Sequence, residues 1–405
     1  MVKKETIPLL YDHHNHPSQY AAFFESANIS GVKSKEEALS IIEQNTHKDR
    51  VNVVLGWNNS YFLFSRGDLD RLPPVIICNL SFHGYVSNNK AQELIEKRFG
   101  GSYILTKLKD LDWMESNLPN IMKFLIEVEG LNEEKLRSFY DHLLERGIWR
   151  TEDMLIPSES TLENFKSSEL NKRTEFWTDL STYQKISPQS QKEIKGIKIF
   201  TDGALGPKTA AIEEPYPSGG HGVLLHEERT LKELIEEVET DHAAIHAIGN
   251  RAIKMVINAL ENIDRSGIKS PKIRMEHAQF IDKETAKTAR SLGITLSMQP
   301  NFSLDSEHYS DRLSEKYLKM NNPFRMLIDD VGFVPGKDLI FGSDGMPHGV
   351  KAALESSLFP PYSSQRVTLD EFRKAYCVED KSLGSIDMVI DEDKGKVVIE
   401  EIRTQ

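Results

Sequence analysis

Cysteine is almost missing from this chain: two residues in 405, Cys78 and Cys377, far apart and in no Cys-x-x-Cys pair. That excludes a disulfide framework and a thiolate zinc site, and leaves both thiols as buried apolar filler. Long apolar runs are missing too. No segment approaches the ~18 residues that cross a bilayer, and the stretch at 7–11 behind Lys3 and Lys4 is too short for a secretory signal. The expected location is the cytosol. Positive charge is in deficit, with 50 Lys+Arg against 62 Asp+Glu and a formal net charge of −12. No basic stripe with interleaved aromatics is present, which argues against nucleic acid as a partner. Internal repeats and low-complexity tracts are absent. What remains, 39% hydrophobic and 28% charged residues, can bury a sizeable core, either as two or three ordinary domains or as one α/β barrel with additions.

Short β-branched runs alternate with amphipathic segments, the pattern of βα units. Strands are expected at 7–13, 51–57, 74–80, 148–154, 196–201, 243–247, 273–277, 295–299 and 339–343, and helices at 35–44, 227–240, 250–263 and 283–292. Nine strands for an eight-stranded barrel means that one is misplaced or accessory. Residues 90–146 read as an insertion of helix and loop, and 158–195 as a polar excursion over one barrel face. Near the C-terminus, 386–390 and 396–402 flank Asp393-Lys394-Gly395 and predict a β-hairpin outside the barrel. The expected division is a barrel over 1–380 and a small β remnant over 381–405.

The chemistry-bearing residues sit at the ends of the candidate strands, where barrel active sites are built. In Asp12-His13-His14-Asn15-His16 the two residues His14 and His16 share a strand face, as two imidazole ligands of one metal require. A polar segment with coincidental histidines would read the same way. Lys198 lies inside an apolar strand before a glycine turn, where burial pushes an amine toward its neutral form. His246, His277 and Asp344 each close a further strand. Any one of them could be a satisfied core histidine or a turn aspartate; together they converge on one mouth. His83, Trp57 and His221 are expected along the pocket as substrate-binding residues, and Glu276 is expected to point away from the mouth.

The set Asp12-x-His14-x-His16, Lys198-x-Phe200-x-Asp202-Gly203-x-Leu205-Gly206, His246-Ala247-Ile248-Gly249-x-Arg251-Ala252, Arg274-x-Glu276-His277-Ala278-Gln279, Ser297-Met298-Gln299-Pro300 and Gly342-Ser343-Asp344 resembles the amidohydrolase superfamily. Within it, the pattern is similar to the branch that includes the N-substituted formamide deformylases. The resemblance implies a distorted (β/α)8 TIM barrel. It also implies His14, His16 and Asp344 on one divalent ion, His246 and His277 on a second, and a carboxylated Lys198 bridging them. Zinc suits that ligand set best, with manganese, iron or cobalt as alternatives. The implied activity is hydrolysis of an amide-type C–N bond in a small molecule (an N-acyl or N-formyl amine, a cyclic amide or a urea), with Asp344 as the catalytic proton shuttle. The chain departs from the pattern in several places. The family's N-terminal β segment is expected to be missing before His14 and the C-terminal end to be short, Asn250 stands where an acid is usual, Pro207-Lys208 replace a Ser-Arg pair, and Ser81 and Phe82 replace the Asp and Gly before His83. A catalytically silent binding barrel, or a mononuclear hydrolase of esters or lactones, stays open at this stage, as does a homo-dimer.

Overall fold

In the computed structural model, which describes residues 2–80, 82–99, 103–108, 110–263, 270–345 and 347–405, the first apolar run is two strands, not one. β1 (Val2–Pro8) pairs antiparallel with a C-terminal strand, while β2 (Leu10–Asn15) enters the barrel. Pro8, with no N–H to give, suits the end of β1. There follow β3 (Asn52–Trp57), β4 (Val75–Asn79), β5 (Tyr85–Ser87), β6 (Ile148–Asp153), β7 (Thr174–Thr178), β8 (Ile194–Phe200) and β9 (His242–Ala247). β10 (Lys272–His277), β11 (Thr295–Met298), β12 (Leu339–Phe341), β13 (Gly384–Asp391) and β14 (Lys396–Thr404) complete the chain.

β2 and β6 through β12 form one all-parallel sheet in sequence order. Its two ends meet. The Asp344 N–H donates to the His14 carbonyl at 2.7 Å, and Ser343 donates from N–H and Oγ to the Asp12 carboxylate at 2.8 and 2.5 Å. A Cβ at Gly342 would lie 2.3 Å from His14 N, so glycine is what lets β12 approach β2. The result is the expected distorted barrel, with a small β1-β13-β14 sheet beside it.

Two strand assignments change. β3 and β4, expected in the barrel, form a separate sheet with β5, because β2 pairs directly with β6. They carry their own cores, with Val54, Trp57, Val75 and Ile77 on one face, and Val53, Ile76 and Cys78 packed with residues of the helix Leu118–Glu129 on the other. The vacant barrel place is filled by β7, inside the segment that reads as a polar excursion. β7 is Thr-Glu-Phe-Trp-Thr, and its Glu175 is neutralised across the ladder by Arg150 of β6 and Lys195 of β8. A strand whose charge is paired by its neighbours carries no apolar signature. The helix expected at 35–44 is present as Lys35–Gln44, with Ser34 accepting from the Glu37 N–H as N-cap. Both cysteines are free and buried, and among the described residues no helix is long and apolar enough to cross a membrane.

Inside the barrel the side chains are polar as well as apolar. Glu152 of β6, wholly buried, accepts from Arg274 at 2.7 Å, Trp177 Nε1 at 2.6 Å, Tyr11 OH at 3.0 Å and Lys195 at 3.1 Å. Burial alone would raise this carboxyl, but Arg274, Lys195 and His13 hold it well below the usual carboxylate range. Its stabilising effect is therefore complete above the unfolded carboxyl pKa and is lost as pH falls through the lower folded value. Glu152→Ala leaves Arg274 with Glu276 as its one remaining carboxylate in a dry interior, and the expected cost is about 3–5 kcal/mol, measured as a shift of the urea midpoint at neutral pH. A shift worth less than ~1 kcal/mol would mean that Arg274 is solvated without it.

Candidate active site

The C-terminal ends of the barrel strands open into a cavity of about 770 Å³. His14, His16, Lys198, His246, His277 and Asp344, all expected there, line it together. Asp344 Oδ1 stands 3.3 Å from His16 Nε2 and 3.6 Å from His14 Nε2, and ligand atoms of these three residues lie within 4.8 Å of one another. The His277 ring bridges onward, 4.8 Å from that of His14 and 4.6 Å from that of His246, centroid to centroid. The strand ends are bent to achieve this. His277, Ala278 and Asp344 adopt φ of 70°, 45° and 53°, conformations that non-glycine residues hold only when their surroundings over-determine them.

A layer of hydrogen bonds behind the imidazoles decides which ring nitrogen faces the cavity. His14 Nδ1 pairs with Glu276 Oε2 at 2.5 Å, leaving Nε2 toward Asp344. Glu276 is held by Arg274, which also binds Glu152 and the His13 carbonyl. Glu276 thus points away from the mouth, as strand alternation predicts, and acts on it through His14. His277 Nδ1 pairs with Gln299 Oε1 at 2.7 Å, and His246 Nε2 meets the Gly203 carbonyl at 3.1 Å. Asp202 accepts the N–H groups of Ala211, Ile248 and Gly249 at 2.9, 3.0 and 2.8 Å, which ties the loop after β8 to the loop after β9.

The electrostatics suit a cation-binding site. Burial lowers His14 and His277 well below the ordinary imidazole value, so both are neutral and can ligate. Burial would raise Asp344, but the neighbouring His14 and His16 keep it ionised, down at about 2. Lys198 is 3% exposed, has no carboxylate at ion-pair distance among the described residues, and is lowered to about 8 by burial.

Other expected positions divide. His83 lines the cavity, with Nδ1 on Glu115 Oε2 at 2.6 Å, and Glu115 Oε1 in turn accepts from Thr209 Oγ1 at 2.6 Å. Ser81, its neighbour in the motif, lies outside the described residues. Trp57 and His221 are not brought to the cavity. Trp57 turns into the core of the β3-β4 sheet and donates to the Phe62 carbonyl at 3.0 Å, while Leu55 and Gly56 face the cavity instead. His221 is exposed on the loop after β8 and bonds back to Ile212. Asn250, where the family has an acid, donates to Glu213 at 2.9 Å. Glu115 was not foreseen, since it sits in the insertion at 90–146, where nothing in the pattern marks it. Replacing Glu276 with Gln removes the anion that fixes the His14 ring. The expected result is a 10–100-fold loss of divalent-metal affinity in competition with a chelator, with the fold intact by circular dichroism.

Comparison with known proteins bears on this site. The family model described as "Amidohydrolase family" matches residues 151–350, from β6 to the loop after β12. The putative amidohydrolase YtcJ of Bacillus subtilis (strain 168) is 36% identical over 141 residues, which covers 34% of this chain and 26% of that protein. Protein LONG AFTER FAR-RED 3 of Arabidopsis thaliana is 23% identical over 403 residues, 87% of this chain and 69% of that one. The chain thus spans about a quarter of the bacterial relative and about two thirds of the plant one. Among solved structures, an uncharacterized metal-dependent hydrolase from Pyrococcus horikoshii OT3 superposes with a TM-score of 0.66 at 23% identity, covering 88% of this chain and 74% of that one. Another from Pyrococcus furiosus gives 0.65 at 21%, covering 91% and 80%. At those identities the likeness is one of fold.

Proposed function

We propose that the chain belongs to the amidohydrolase superfamily, whose family model it matches over residues 151–350, and that it hydrolyses an amide-type C–N bond of a small molecule, using divalent metal ions, zinc first among them. The substrates that fit are N-acyl or N-formyl amines, cyclic amides and ureas. The observation that carries this reading is the convergence of His14, His16 and Asp344 donor atoms within 4.8 Å in a cavity that a buried lysine, Lys198, also lines with no carboxylate at ion-pair distance among the described residues. Neutral imidazoles, an ionised carboxylate and ring orientations set from behind are the donor chemistry that zinc-class ions take. His14, His16 and Asp344 would hold one ion and His246 and His277 a second. Lys198, as a neutral amine, would add carbon dioxide and release a proton, giving an anionic carbamate able to serve both. Ions bound there would supply a hydroxide nucleophile at neutral pH and polarise the scissile carbonyl.

The remaining work falls to the chain. Asp344 takes the nucleophile's proton on its carboxylate and returns it to the leaving nitrogen, which must be protonated to depart. Tyr20 OH, donating to the Asp344 carbonyl at 3.1 Å, keeps that residue in place. His83 is tied through Nδ1 to Glu115, which leaves Nε2 as the donor on a ring that lines the cavity. Burial opposes its charge, but the Glu115 carboxylate raises His83 above the ordinary imidazole value. As an imidazolium it stabilises the oxyanion that develops on the substrate carbonyl.

Two measurements test this. Protein purified without chelator and reconstituted with zinc and bicarbonate is expected to hold about two equivalents of metal per chain. Lys198→Ala is expected to lower that content, and Asp344→Asn to abolish turnover of a panel of N-formyl and N-acyl amines, cyclic amides and ureas. A chain that binds no metal would instead be a silent binding barrel, and an active Asp344→Asn variant would remove the proton shuttle. The second measurement is a pH profile. A raised His83 stays charged above the ordinary imidazole value and loses its charge as pH climbs through its folded value, so Glu115→Gln should move the limb of kcat/KM that reports this deprotonation to lower pH. His83→Ala should lower kcat by about 10²–10³-fold, both variants retaining their metal. An unshifted limb in Glu115→Gln would count against the imidazolium.

A further inference from the structure

Besides the six expected ligand residues the cavity is lined by a second polar pair, Gln279 and Asp305. Gln279 follows His277 by two residues, is 1% exposed and lines the cavity. Its Nε2 donates to Asp305 Oδ2 at 2.8 Å, which fixes the amide so that Oε1 is left with no partner. Asp305, on the short helix Asp305–His308 after β11, also lines the cavity and forms no ion pair among the described residues. Of the described residues that line the cavity only Asp305 and Asp344 are acidic, so among them Asp305 is the one acid outside the expected ligand set.

Arg312, the cation whose field acts on Asp305, is committed elsewhere. Its guanidinium binds the Gly206 carbonyl at 2.5 Å, Asp311 at 3.1 Å and Ser60, and it lies over the Tyr309 ring at 4.7 Å. Burial pushes Asp305 up to about 7, with Gln279 and Arg312 only partly offsetting it. The pair therefore presents a carboxylate without a counter-ion and an amide oxygen without a donor, the arrangement that a cationic nitrogen satisfies. Apolar side chains of Leu205, Ile248, Phe302 and Leu304 line the same cavity.

We propose that Asp305 and Gln279 form a substrate subsite for an ammonium group on an apolar body, an alkylamine or arylalkylamine, distinct from the six expected metal-ligand residues. The ammonium donates to the Asp305 carboxylate and to Gln279 Oε1. The proposal deepens the hydrolase reading, since it names the substrate as an amide or urea that also carries a positive charge. Its test needs no turnover.

Binding of phenethylamine, 2-phenylethanol and 3-phenylpropionate to the full chain is measured by titration calorimetry at pH 8. Phenethylamine is expected to bind at least tenfold more tightly than the alcohol, with no binding of the carboxylate. Asp305→Asn should weaken phenethylamine at least tenfold and Gln279→Leu to a smaller degree. Glu307→Gln, an exposed neighbour, should leave binding unchanged. Equal binding of amine and alcohol would overturn the subsite, as would an Asp305→Asn variant that binds as the parent does. Loss of binding in Asp344→Asn but not in Asp305→Asn would place the amine at the metal centre, and equally overturn it. Should Asp305→Asn fail to fold by its denaturant midpoint, the Gln279→Leu titration and the amine-to-alcohol ratio in the parent decide. Absence of metal or of hydrolysis would count against the hydrolase reading and leave these titrations unaffected.

Discussion

A run of buried charges through the barrel interior, Lys195–Glu152–Arg274–Glu276, ends on the imidazole of His14, and the geometry of the mouth depends on it. Replacing such a network with apolar side chains of equal volume often leaves a protein as stable or more so, because desolvating the ions offsets most of their attraction. Stability is therefore a weak reason to place four ionised groups inside a barrel. Orientation is a better one. Glu276 can hold His14 by Nδ1 only if its own charge is balanced from behind, and Arg274 is balanced in turn by Glu152. The charge of Glu152 is met by Lys195, which reaches in from the opposite end of β8 to Lys198. One strand thus supplies both a paired lysine that anchors the network and an unpaired one at the mouth, and the difference between them is the carboxylate that only Lys195 can reach.

The insertion between β2 and β6 completes the site from above. Its helices and the β3-β4-β5 sheet pack over the mouth through a core of their own and bring His83, Glu115, Leu118 and Met122 to it. A barrel alone presents its ligands to solvent. Covering the mouth with apolar walls removes water, which strengthens every charge interaction inside. It also makes a buried ion pair such as His83–Glu115 worth building, since there a single fixed cation can face a developing oxyanion.

Legibility followed the physics of each element. The six strand-end residues that meet at the mouth could be read because a histidine pair at spacing two, or a lysine within an apolar strand, is costly unless something offsets it. β7 could not, because its one charge is cancelled by Arg150 and Lys195 on flanking strands, and that cancellation exists only in three dimensions. β3 and β4 are as β-branched as any barrel strand; which sheet they join is decided by the direct pairing of β2 with β6, a contact across more than 130 residues of sequence. Trp57 failed for a simpler reason. Leu55 and Gly56 reach the cavity, and the next side chain turns into the sheet's own core. Glu115 and Asp305 carried no signal at all, since an acid on a short helix is ordinary until its neighbours are known.

The small β sheet bears on the site through the same logic of anchoring. β1 runs along β13 with Lys3 on Glu392 at 2.8 Å and Thr6 on Asp387 at 2.7 Å, and Ile7, Leu9, Ile386 and Met388 are buried with the barrel core. The chain then passes within one residue into β2, where the Leu10 N–H donates to the Gly147 carbonyl at 2.7 Å and the Val378 N–H donates to that of Leu9 at 2.9 Å. The start of β2 is thus fixed by segments from both ends of the sequence. Its other end is fixed by Asp344 and Ser343 in the turn after β12. Between Leu10 at one clamp and His14 at the other lie Tyr11, Asp12 and His13, too few residues for the strand to slip. The sheet that first looks like an appendage therefore sets the register of the strand that carries His14.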